Sequence, residues 1–204
     1  MIITYHGVQS FRVQFGDTVL AFDPVSKNSE NKATNFGADI ALVSINHRDM
    51  NGAEQASRGE KQVFGVRGPG EYEISGVFIK GVASISNYLG ANLNNTIYRV
   101  SLENMNLCFL GALSDAKLST EAKESLDGID ILFVPVDTLG PSEAYKLAVS
   151  LEPSIIIPMN FTPASLKTFL KEGGDEGAKP IEKLTIKKKD LEGKEGEIII
   201  LEQQ

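Results

Sequence analysis

Short apolar runs cut by Gly, Asn and Asp fill the first half of the chain. Phe11, Val13 and Phe15 alternate with Arg12 and Gln14, the period-two pattern of a half-buried strand, and residues 2–5 and 19–22 read as its neighbours. Gly16-Asp17 between Phe15 and Thr18 predicts a two-residue hairpin turn. Further strands are predicted over 40–44, 63–66, 77–83, 96–102, 107–110, 131–134 and 155–157. The last two are uninterrupted apolar runs, as expected of strands covered on both faces.

Helical spacing follows in the second half. Ala144, Leu147, Ala148 and Leu151 form one apolar stripe after Pro141-Ser142. Thr162-Pro163 supplies a cap and a proline at the first helical position, with Leu166, Phe169 and Leu170 as the buried face. A weaker helix is predicted over 119–126, and segments 184–186 and 197–201 are read as a closing terminal hairpin. Strands leading into helices on sheet faces predict a layered α/β sandwich. With no repeat and no long linker, a single domain over 1–204 is expected.

Composition narrows the chemistry. The 204 residues carry 20 Lys+Arg against 27 Asp+Glu, a net charge of −7, which makes nucleic acid a poor partner. Lys187-Lys188-Lys189, the one basic run, is read as a solvated edge of the terminal hairpin. No apolar run approaches the ~20 residues that cross a bilayer. The start, Met1 to His6, lacks a secretory pattern, so no membrane partner and a cytoplasmic location are expected. The lone cysteine, Cys108, lies in an apolar run and reads as a small core residue. With only His6 and His47 as imidazoles, any bound metal would take mostly oxygen ligands, favouring magnesium, manganese or calcium over zinc. Gly68-Pro69-Gly70 lacks the Lys-Ser/Thr of a phosphate loop and reads as a tight turn. No Gly-x-Ser-x-Gly elbow is present.

Several fragments, taken in order, carry a resemblance. They are Ile3-Thr4-Tyr5-His6-Gly7-Val8-Gln9-Ser10-Phe11, Leu20-Ala21-Phe22-Asp23-Pro24, and Ala38-Asp39-Ile40-Ala41-Leu42-Val43-Ser44. Gly68-Pro69-Gly70-Glu71-Tyr72, Phe109-Leu110-Gly111, Asp130-Ile131-Leu132-Phe133-Val134-Pro135 and Ile155-Ile156-Ile157-Pro158-Met159 follow. Together they resemble the metallo-β-lactamase fold superfamily, in its small cytoplasmic branch of metal-dependent hydrolases. The resemblance spans nearly the whole chain and implies a four-layer αββα sandwich with hydrolase ancestry.

The family's metal loop, H-x-H-x-D-H, falls on Ile45-Asn46-His47-Arg48-Asp49-Met50, where His47 and Asp49 alone keep the pattern. The bridging Asp falls near Gly111-Ala112, with Asp115 three residues on, and the final His is Asn160. The intermediate His would lie within 82–88, which holds Ser84, Ser86 and Asn87. The branch's turn histidine is Val8, and its metal-proximal Asp is Asp23. Two cations held close together need several anionic and imidazole ligands to offset their repulsion. The di-metal centre is therefore read as lost, no metal is expected, and the expected function is a non-catalytic binding or assembly module.

The candidate pocket is His47, Asp49, Asp23, Asn160 and Asp115. The alternative is a hydrolase using those residues as an oxygen-rich or single-ion manganese or magnesium site. His47 is either a remnant ligand or base, or a hydrogen-bonded histidine at a strand end. Asp49 is expected to cap a helix beginning near Asn51. A homo-oligomer built on sheet edges or apolar patches is compatible with the non-catalytic reading, and the residues name no small-molecule ligand.

Overall fold

The alternating run at Phe11 becomes an inner strand of a six-stranded sheet in the computed structural model, which describes residues 1–60 and 62–204. Its strands are β1 (Ile2–Tyr5), β2 (Phe11–Phe15), β3 (Thr18–Phe22), β4 (Ile40–Leu42) and β5 (Phe64–Val66), in that order across the sheet. β1, β2 and β3 run antiparallel, whereas β3, β4 and β5 are parallel. Phe15 pairs with Thr18 across Gly16-Asp17, and Gly16 takes φ +55°, the left-handed geometry that the tight turn demands.

The second sheet contains β6 (Gly70–Ile74), β7 (Val77–Ser86), β8 (Leu93–Leu102), β9 (Met105–Phe109), β10 (Ile131–Pro135) and β11 (Ile155–Met159). β6 to β9 form an antiparallel meander, and β9, β10 and β11 are parallel. The apolar runs at β10 and β11 are buried at every position, as their lack of alternation predicts. One face meets the first sheet, where Phe11 lies 4.8 Å from Phe133 and Phe22 lies 4.9 Å from Phe109 between ring centres. The other face packs on α1 (Thr120–Ser125), α3 (Pro141–Ser150) and α4 (Pro163–Glu172), after a single-turn α2 (Val136–Leu139). Ser119 and Thr162 cap α1 and α4 through their hydroxyls.

The outer side of the first sheet carries a much thinner layer. A short 3-10 turn, Ala53–Ala56, sits on Val19, Ala21, Ala41 and Val43, whose small side chains permit the close approach. These layers make the α/β sandwich of the metallo-β-lactamase type. Among the described residues no helix is long and apolar enough to cross a membrane.

Several local expectations are corrected. The two terminal segments do not pair with each other. β12 (Leu184–Thr185) joins the first sheet beside β1, and β13 (Glu197–Ile198) joins the second beside β11. The lysine run sits on the 3-10 turn Lys188–Leu191, where Lys188 Nζ donates to both Asp130 oxygens at 2.8 Å. The turn near Asn51 starts at Ala53 with no side-chain cap, so Asp49 is free for other partners. β7 and β8 reach beyond their apolar runs because each completes the other's ladder from Phe78–Ser101 to Ser86–Leu93.

Phe133 is sealed among Phe11, Phe22 and Phe109. Phe133→Ala should destabilise the fold by about 3–5 kcal/mol, read as a lowered urea midpoint.

Candidate functional site

Parallel pairing brings chain exits to one edge of each sheet. The segments after β9, β10 and β11 leave the second sheet together, and those after β3 and β4 leave the first together. The two edges are tied by backbone bonds: Thr96 N–H donates to Ser44 O (2.9 Å) and Asn160 N–H to Val8 O (2.8 Å). Ligand sites favour such carboxyl ends of parallel strands. All five residues predicted as the pocket lie on loops around this mouth.

Asp49 collects most of the polar contacts. Ser29 Oγ donates to its Oδ1 at 2.5 Å and Tyr88 OH to its Oδ2 at 3.0 Å. Asp49 N–H donates to His47 Nδ1 at 3.3 Å, and that nitrogen is 3.5 Å from Asp49 Oδ2. The His47 ring meets the Tyr88 ring edge-on, with centres 5.1 Å apart. Burial alone would raise the Asp49 carboxyl. The hydrogen bonds from Ser29 and Tyr88 outweigh it and hold the group below its ordinary range. Burial, followed by the bond to Asp49, pushes the Tyr88 phenol up.

Asp23 belongs to a different environment. It is fully buried, with Ser44 N–H donating to Oδ1 at 2.6 Å and Ser44 Oγ–H to Oδ2 at 2.5 Å. Burial raises its pKa to about 8 against the pull of those two bonds. Beside Ser44, Gly111 takes φ +61°, and a Cβ there would lie 2.5 Å from both Asn95 Oδ1 and Ser44 Cβ. Asn95 then fixes the loop after β9, accepting from Ala112 N–H (2.9 Å) and donating to Leu110 O (3.0 Å).

Asn160 adopts φ +47°, a conformation asparagine tolerates better than most residues. Its backbone joins Val8 to the start of α2, because its carbonyl accepts from Asp137 N–H at 2.9 Å. Asn160 and the exposed Asp115 both line a cleft of about 710 Å³ together with Tyr88, Ile85, Leu89 and Asp137. The five predicted residues are thus distributed. His47 and Asp49 meet at Tyr88, Asn160 and Asp115 line the cleft on Tyr88's side, and Asp23 is bonded to Ser44. Sequence reading missed Tyr88, Ser29, Ser44 and Asn95. Tyr88 stood inside the 82–88 window searched for an imidazole, and its phenol was the unread signal.

A two-metal centre does not fit this donor set. Ile45, Met50, Tyr88 and Ala112 form a buried apolar cluster with Val8 and Leu93, occupying the positions where the resemblance puts ligands. Asp49 has both oxygens engaged, and His47 Nδ1 acts as an acceptor. Among the described residues no three His, Cys, Asp or Glu side chains converge as a metal-holding group. Hydrated divalent charge is poorly compensated by such apolar walls.

Comparison with known proteins agrees with the fold. A family model described as "Beta-lactamase superfamily domain" matches residues 2–160. A candidate Zn-dependent hydrolase of the metallo-beta-lactamase superfamily from Thermotoga maritima is 27% identical, with a TM-score of 0.75 covering 100% of this chain and 99% of that one. Igni18, a metallo hydrolase from Ignicoccus hospitalis, aligns at a TM-score of 0.63 and 17% identity over 91% of this chain and 99% of its own. The metallo-beta-lactamase fold protein YhfI from Bacillus subtilis gives 0.60 and 12% over 98% and 96%. No curated protein matches the sequence.

Two outcomes follow from the site's carboxylates. The folded-state pKa of Asp23 is raised, so the unfolded chain loses that proton first. Its stabilising contribution is complete below about pH 4 and is lost as pH rises through about 8. Asp23→Asn keeps an acceptor for Ser44 N–H and removes the charge, and should flatten this slope in urea titrations between pH 5 and 8. Asp49→Ala strands the Ser29 and Tyr88 hydroxyls and should cost about 1–3 kcal/mol, with faster amide exchange in the segment around Ser29.

Proposed function

The chain belongs to the β-lactamase superfamily, and on that footing we propose that it is a non-catalytic member, a binding module in which packing has taken the place of the di-metal centre. The observation that carries this reading is the apolar cluster of Ile45, Met50, Tyr88 and Ala112. Each of the three motif positions it includes replaces an imidazole or carboxylate of the family pattern with a side chain that prefers its neighbours to a cation. The hydrogen bonds to Asp49 work in the same direction, since a carboxylate that already accepts from two hydroxyls is a poor ligand unless both are displaced.

Binding is favoured over assembly because the mouth retains a cleft. Its volume of about 710 Å³ lies in the range of small-molecule sites, and its lining mixes apolar Ile85 and Leu89 with polar Asn87, Ser114 and Asn160. Cys108, sealed in β9 with its thiol pushed up by burial, suits a reducing, cytoplasmic setting. The hydrolase designation of the Thermotoga and Ignicoccus proteins is theirs, and this chain's donor set supports no step through a two-metal centre.

Elemental analysis of protein purified without chelators tests the proposal. Zinc, manganese and magnesium should all be far below one equivalent, and the melting temperature should not change with EDTA. Two tightly held equivalents of metal, lost together with stability on chelation, would overturn it.

A further inference from the structure

The helices cover the second sheet unevenly. α3 and α4 pack over β10 and its neighbours and α1 reaches β7, where Val82 and the adjacent Ile97 of β8 are buried, but the far end of the outer face of β7 and β8 is open enough to leave Phe78 55% exposed. On that face Lys80 is the direct cross-strand partner of Arg99, and Phe78 is the partner of Ser101. Like charges placed directly opposite on one sheet face repel. Glu71, the neighbour of Lys80 on β6, lies 3.7 Å from its Nζ. Glu73 is paired with Phe78 one step along. Arg99 has no such relief among the described residues, and its Nε is enclosed without a hydrogen-bond partner. The enclosed Nε fixes the side chain, and the planar guanidinium beyond it lacks a carboxylate partner, for which an oxyanion accepting from two N–H groups is the best substitute.

These residues line one groove of about 160 Å³, with Glu71, Tyr72, Phe78, Ile79, Lys80, Arg99 and Ser101 as its walls. That volume accommodates a single charged group rather than a whole cofactor, which needs roughly 300 Å³ or more. We propose that this groove binds an oxyanion, a phosphate or carboxylate carried on an apolar body, with the anion bridging Lys80 and Arg99 and the body lying on Phe78. One bridging anion converts the cross-strand repulsion into two attractions. Glu71 opposes it and weakens the site. The groove is on the face of the sheet and not at the strand ends, so it is separate from the cleft beside Tyr88.

The test is a titration of the full chain followed by amide chemical shifts, with phenyl phosphate, phenylacetate and inorganic phosphate as probes. Phenyl phosphate or phenylacetate should give saturable shifts at Lys80, Arg99 and Ser101, and whichever binds more tightly identifies the head group. Inorganic phosphate should bind at least about fivefold more weakly, because it lacks the ring that covers Phe78. Arg99→Gln should abolish saturation, Arg99→Lys should keep weakened binding, and Glu71→Gln should tighten it. Absence of saturable shifts with both aromatic probes, equal binding of inorganic phosphate, or an Arg99→Gln protein that binds like the wild type would each overturn the proposal.

Discussion

The mouth of this sandwich is organised by one carboxylate. Asp49 accepts from Ser29, on the long connection between β3 and β4, and from Tyr88, on the connection between β7 and β8. It thereby joins loops from both sheets across the mouth. A hydrogen-bonded carboxylate is directional and needs partners of fixed length, and Tyr88 supplies the reach while its ring closes the apolar cluster beneath. The same residue therefore terminates the polar network and begins the hydrophobic one.

Around that point the chain divides its polar chemistry by depth. Asp23 and Ser44 are sealed together, with Gly111 and Asn95 packed so closely beside them that no side chain larger than hydrogen fits. Asn160 and Asp115 stand at the solvent boundary. Ile45, Met50 and Ala112 pack with Tyr88 in an apolar cluster of their own. Carboxylates that would act together on a shared cation are instead isolated from each other, each with its own hydrogen-bond donors.

What was legible in the sequence had its own periodicity or capping chemistry. β2 alternates, β10 and β11 are apolar throughout, and α4 begins at a threonine followed by proline. β12 and β13 were not legible as members of different sheets, because two-residue strands owe their pairing to distant neighbours and not to local pattern. β6 was missed because an edge strand reading Gly-Glu-Tyr-Glu-Ile has little burial to report. In the site, the pairing of His47 with Asp49 could be read from spacing. The Tyr88 contact could not, since it joins positions 39 apart and depends on how β7 and β8 cross the mouth.

The apolar cluster also bears on how such a chain can change. Ile45, Met50 and Ala112 pack against one another, so replacing any one with an imidazole or carboxylate would bury a polar group with no partner. Each such replacement is unfavourable until the others are in place, which makes the energetics of the set strongly non-additive. A packed trio of this kind acts as a ratchet: single polar substitutions lead into a valley that only a concerted change of all three crosses.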